Sequence, residues 1–202
     1  MFQSDWTKRT MAVQALGHTD PVTRALVRPV HLSTTYIRDQ DNSYTSGYSY
    51  GRPDNATVRD TEGVIAMMEG AEAGALLFSS GMAAATAVFQ ALDPGDHVVA
   101  PRVMYWALRA WLGSEAIRWG LQVDFVELDE PDKLRAAVTP GKTKLVWVET
   151  PANPLWTVTD IVAAAEIAHA AGARLVVDST CASPFHTQPL ALGADVVMHS
   201  AT

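Results

Sequence analysis

The sequence predicts an α/β fold with a mostly parallel sheet sandwiched by helices, and three observations carry that expectation. Short runs that are apolar throughout recur along the chain from residue 75 onward. Ala-rich stretches with helical periodicity separate them. Turn-forming residues, Asp93-Pro94-Gly95-Asp96 and Gly172 among them, close those helical stretches. Strands buried on both faces of a parallel sheet need apolar residues at every position, and parallel neighbours need a crossover helix between them.

The elements follow in order. Residues 1–55 lack long apolar runs and are rich in Ser, Thr, Tyr and Asp, which predicts an extended N-terminal arm. A disordered tail is the plainer alternative, but Tyr36, Tyr44, Tyr48 and Tyr50, with two Pro-flanked apolar patches, favour an arm that packs on a neighbouring subunit. Residues 56–202 form the large domain. It opens with Val58, Thr61, Ile65 and Met68 at helical spacing before Gly70. Strands are expected at 75–78, 97–100, 123–128, 144–149, 174–178 and 195–199, and helices at 82–92, 104–119, 131–138 and 159–171. No internal repeat or low-complexity segment interrupts them.

Composition narrows the function classes. The 202 residues suit one domain with an arm, and a charged fraction of 18%, against about 25% in ordinary soluble chains, suggests surface covered by other subunits. Fifteen Lys plus Arg against 22 Asp plus Glu give a net charge of -7 with no basic stripe, so nucleic acid is not an expected partner. The single Cys181 leaves no disulfide framework or multi-Cys metal site. The opening MFQSDWTKRT has no apolar h-region and no run is long enough to span a bilayer, so a cytoplasmic location is expected and a membrane is not.

In an open α/β sheet, ligands gather outside the carboxyl ends of the strands. Ser80-Gly81 at the opening of an Ala-rich helix could cradle an anion on unpaired backbone N–H groups, or could be a plain Ser cap beside a tight loop. Neither GxGxxG nor a Walker A loop is present. Asp178 ends the most uniformly apolar run and is expected to be desolvated, either paired with a protonated heterocyclic nitrogen or forming a turn. Ser200 and Thr202 could complete a phosphate cup, or form a simple turn. His169, His186 and His199 lack metal-ligand spacing and are expected to be structural or on the surface, no GxSxG elbow occurs, and Cys181 is expected to be a small buried filler.

Six ordered motifs carry a family resemblance: Tyr50-Gly51-Arg52, FSSGMAA (78–84), Tyr105, ETPANPLW (149–156), VVDSTCASP (176–184) and ALGADVVMHSAT (191–202). Together they resemble the Cys/Met-metabolism enzymes that depend on pyridoxal 5'-phosphate (PLP), the group of cystathionine β-lyase, γ-lyase and γ-synthase. The resemblance implies PLP-dependent transferase fold type I. It also implies that Ser80, Gly81, Met82, Ser200 and Thr202 bind the cofactor phosphate and that Tyr105 stacks on the pyridine ring and assists catalysis. Asp178 would pair with the ring nitrogen, Asn153 would orient the ring oxygen, and Thr180 would sit close by. Tyr50 and Arg52 would reach the phosphate of a neighbouring subunit in a homotetramer with shared sites.

In the family, the lysine that forms the Schiff base with PLP follows directly after the position of Thr202. Lys8, Lys133, Lys142 and Lys144 lie elsewhere and do not substitute for it. The sequence is therefore expected to be the front part of a longer polypeptide, whose C-terminal domain would supply the arginine for the substrate carboxylate. The implied activity is cleavage of a C–S bond in cystathionine or a related sulfur amino acid by β- or γ-elimination. The absence of Cys after Tyr105, where Trp106 stands, argues against a methionine γ-lyase. The alternatives are a γ-replacement enzyme of the γ-synthase or O-acylhomoserine sulfhydrylase type, and a catalytically incomplete fragment of the fold.

Overall fold

The computed structural model describes residues 6–14 and 17–202, and the chain divides into two compact units, Met1–Leu77 and Phe78–Thr202. In the first unit, α1 (Lys8–Gln14) precedes a long series of turns and then α2 (Ala56–Glu69). Helix α2 starts where Asn55 accepts the Val58 N–H at 3.0 Å, and stops where Gly70 takes φ 69° and donates back to the Ala66 and Met67 carbonyls. The turns hold themselves with local side-chain bonds: Asp39 accepts the Thr45 N–H at 2.7 Å and its hydroxyl at 2.9 Å. The Tyr36 and Tyr48 rings stack at 5.3 Å, and Arg59 lies over Tyr48. Gly51 is obligatory there, because a Cβ would overlap the Ser33 carbonyl.

The second unit begins with α3 (Gly81–Gln90) and β1 (His97–Pro101). A continuous helical segment follows, made of α4 (Trp106–Trp111), a π-helical turn (Leu112–Ala116) and α5 (Ile117–Trp119). Then come β2 (Gln122–Val126), α6 (Pro131–Ala137), β3 (Thr143–Glu149), α7 (Ile161–Ala170) and β4 (Arg174–Asp178). The segment α8 (Ser183–His186), a 3-10 turn (Pro189–Leu192) and β5 (Val196–Met198) complete it. All ladders are parallel, and the strand order is β2-β1-β3-β4-β5.

Alternate residues of the sheet feed two cores. Val98, Ala100, Leu145, Trp147 and Val176 pack with Phe89 of α3 and with Leu108 and Leu112 on one face. Val99, Val146, Val148, Leu175 and Val177 pack with Leu134 of α6 and with Ile161, Ala164 and Ala168 of α7 on the other. Each fully buried Leu, Val or Phe contributes about 1.5–3 kcal/mol. Burial on both faces holds for β1, β3 and the apolar part of β4, whereas the edge strands β2 and β5 are only partly covered.

One expected strand is absent. Residues 75–78 belong to no ladder among the described residues, and Leu76, Leu77 and Phe78 are exposed. Their apolar character signalled burial, but no backbone partner among the described residues completes a ladder with them.

The topology locates the crevice. After β1 the chain crosses to the face of α4, and after β3 it crosses to the face of α7, so the two connections diverge from adjacent strands. Such a switch point is where an open α/β sheet has room for a ligand.

Candidate active site

Helix α3 is capped by Ser80, whose side chain accepts the Ala83 N–H at 3.1 Å while its carbonyl accepts the Ala84 N–H. That leaves the Gly81 and Met82 N–H groups as first-turn donors without a helical acceptor. The plain capping role and an anion cradle therefore coexist. A Cβ on Gly81 would lie 2.7 Å from both Cβ and Oγ of Ser200, so only glycine lets the end of β5 come this close. The Ser200 and Thr202 hydroxyls are 2.8 Å apart.

Asp178 ends β4 at 7% exposure. Its Oδ1 accepts the Thr180 N–H at 3.0 Å and the Thr180 hydroxyl at 2.6 Å. The same hydroxyl oxygen accepts the Ser200 N–H at 2.8 Å. One line of hydrogen bonds thus runs from the buried carboxylate through Thr180 to Ser200, which abuts the start of α3. Burial pushes the Asp178 carboxyl above its usual range; the two Thr180 bonds and the charge of His199 oppose that shift.

Next to it in register, at the end of β3, lies Glu149. This residue was not among the sequence-derived site residues. Its Oε2 accepts the Tyr105 N–H at 2.7 Å and its Oε1 accepts the Asn153 N–H at 2.8 Å. Burial pushes the Glu149 carboxyl up; the two backbone N–H groups oppose this, and the Asp178 charge adds to it. The available signal was a charged residue closing an apolar run at a carboxyl end.

Tyr105 is the N-cap residue of α4 and is partly exposed, with its ring tilted against Trp106 at 6.1 Å. Asn153 sits in the exposed turn after β3. Cys181 is exposed, which corrects the expectation of a buried filler: the turn after β4 puts its thiol on the surface, where partial burial and the Glu149 and Asp178 charges push its pKa up. In the other unit, Arg52 donates to the Tyr50 hydroxyl at 3.0 Å and both side chains are exposed. Of the sequence-derived residues, the structure brings Ser80, Gly81, Met82, Asp178, Thr180, Ser200 and Thr202 to the carboxyl edge around α3, and Tyr105 and Asn153 to the Glu149 carboxylate.

The donor set suits a phosphorylated, protonated heterocycle: free N–H groups and hydroxyls for a phosphate, and a desolvated carboxylate for a cationic nitrogen. Residues 9–202 match the family described as Cys/Met metabolism PLP-dependent enzyme. The chain belongs to that family. PLP is accordingly the cofactor these residues fit.

Among its relatives are the cystathionine gamma-synthase of Mycobacterium tuberculosis, 43% identical over 195 residues covering 96% of this chain and 50% of that protein, and the cystathionine gamma-lyase of Dictyostelium discoideum, 42% identical over 193 residues covering 96% and 49%. The crystal structure of metB from Corynebacterium glutamicum superposes with a TM-score of 0.91 at 36% identity, covering 98% of this chain and 51% of that one. The fold is thereby that of the fold type I PLP enzymes. The chain spans about half the length of these relatives. No helix among the described residues is long and apolar enough to cross a membrane.

Proposed function

We propose that these residues form the cofactor-holding part of a PLP-dependent enzyme that cleaves a C–S bond of cystathionine or a related sulfur amino acid by β- or γ-elimination. The hydrogen-bonded line from Asp178 through Thr180 to Ser200, ending against Gly81, is the observation that supports it most directly. Bound PLP supplies an electron sink for charge developing at the substrate's α-carbon.

This chain's residues do the rest. The Gly81 and Met82 N–H groups and the Ser80, Ser200 and Thr202 side chains grip the phosphate. The Asp178 carboxylate holds the ring nitrogen protonated, Thr180 orients that carboxylate, and Asn153 orients the ring oxygen. The Tyr105 ring covers one ring face, and its hydroxyl assists proton movement by the lysine expected directly after Thr202. Tyr50 and Arg52 of the arm (residues 1–55) reach the phosphate of a neighbouring subunit. We propose a cytoplasmic homotetramer with shared sites on that basis.

Relatives carrying both gamma-synthase and gamma-lyase names keep γ-replacement as the second reading. Product analysis on the full-length protein separates the readings. From cystathionine, pyruvate marks β-elimination and 2-oxobutyrate marks γ-elimination; an O-acylhomoserine turned over only with an added thiol or sulfide nucleophile, losing its acyl group as the carboxylate, marks replacement. A full-length protein that gains no visible absorption band with PLP overturns both and leaves the catalytically incomplete fold.

A further inference from the structure

We infer that Glu149 is a positioning residue that sets the spacing of Tyr105 and Asn153 across the crevice between β1 and β3. The inference deepens the cofactor reading above and rests on it for its meaning. The connections after β1 and β3 depart to opposite faces of the sheet, so the neighbouring strands alone do not fix their separation. Glu149 ends β3 with its side chain on the same face as Trp147 and, across the ladder, as Asp178. One carboxylate oxygen takes the N–H of Tyr105 and the other takes the N–H of Asn153, at 2.7 and 2.8 Å.

The two backbone donors meet two different oxygens of one carboxylate. A glutamine in the same pose would turn its own NH2 against one of the N–H groups. The residue is 5% exposed and stands beside a second buried carboxylate, so a merely space-filling role would be better served by an apolar side chain. Its position is explained if the two loops must be held at one fixed width, the width of a flat ring lying between a stacked tyrosine and an orienting asparagine.

The test is amide hydrogen exchange on the full-length protein with PLP bound, comparing the parent with Glu149→Gln and Glu149→Asp. In Glu149→Gln, exchange at Tyr105 and Asn153 is expected to quicken about tenfold, with cofactor affinity lowered by a similar factor. Protection at Val146 and Val177 should be unchanged. Glu149→Asp keeps the charge but is one methylene short, and is expected to show the same loss, which a purely electrostatic role would not produce. Parental protection at both amides overturns the inference, and so does parental cofactor affinity once both amides are released.

If the variants do not fold, the unsubstituted protein serves. The Tyr105 and Asn153 amide resonances should then titrate together with one midpoint, and separate midpoints overturn the inference. The titratable groups facing Glu149 are Asp178 from the end of β4 and Cys181 from the turn after it; their own titrations are followed alongside. A parent that binds no PLP defeats the functional reading separately, since the amide measurements still decide the clamp.

Discussion

The two ends of β4 handle their carboxylates in opposite ways. At its amino end, Asp195 accepts the Leu175 N–H at 2.8 Å and bonds Arg174 at 2.8 Å and His169 at 2.9 Å. Partial burial pushes the Asp195 carboxyl up, but that N–H and the hydrogen bonds from His169 and Arg174 outweigh it and hold it below the usual range. At the carboxyl end, Asp178 and Glu149 stand side by side and both are shifted up. The amino end is a finished structural joint. The carboxyl end keeps an electrostatic deficit of the kind that clusters at ligand sites.

The sharpest way to break this comparison is Asp178→Ala in the full-length protein. A loss of turnover of at least about a hundredfold is expected, since a buried charge partner is removed; steady-state kinetics at saturating PLP check it, and unchanged turnover removes Asp178 from the mechanism. Gly81→Ala comes next. The added methyl meets Ser200, so overpacking should cost about 1–3 kcal/mol and weaken PLP binding, while Ser200→Gly in the same chain should recover part of the stability but not the PLP affinity. Denaturant unfolding and a PLP titration measure the two effects.

Much of this contrast was legible in the sequence, for definite reasons. Asp178 could be anticipated because a carboxylate closing RLVVD must end a buried strand. Ser80-Gly81 could be anticipated because an Ala-rich helix needs a cap and a close approach needs glycine. Glu149 was hidden because its partners are backbone N–H groups, which every residue possesses and no motif advertises. The strand expected at 75–78 failed because apolar composition reports a wish for burial and not the presence of a ladder partner. Cys181 misled because residue type predicts average burial, whereas its turn decides the individual case.

Asp195→Ala tests the other end. It should cost about 1–3 kcal/mol of stability, mostly from the Leu175 N–H left unpaired, because the exposed His169 and Arg174 partners add little. PLP affinity should stay at the parental value, as a paired unfolding and binding measurement will show.

The smallest expected effect is on pH dependence. Raised carboxyl pKa values mean that the folded protein holds these protons more tightly than the unfolded chain. Their contribution to stability therefore falls as pH rises from the ordinary Asp and Glu range through the shifted values. In Asp178→Asn, the PLP-free protein should escape part of that fall and gain about 2–4 °C in Tm at neutral pH, although it binds the cofactor poorly. A Tm lower than the parent's across the whole pH range would place the carboxyl end in the same class as the amino end.

The approach of Gly81 to Ser200 joins the opening helix of the second unit to β5, and every other strand of the sheet lies between them along the chain. Contacts of such sequence separation carry a large loop-closure cost. The proposed phosphate grip is therefore expected to mature late as the polypeptide folds. A ligand that binds only the finished state draws the population toward it by mass action, so added PLP is expected to raise the yield of folded protein.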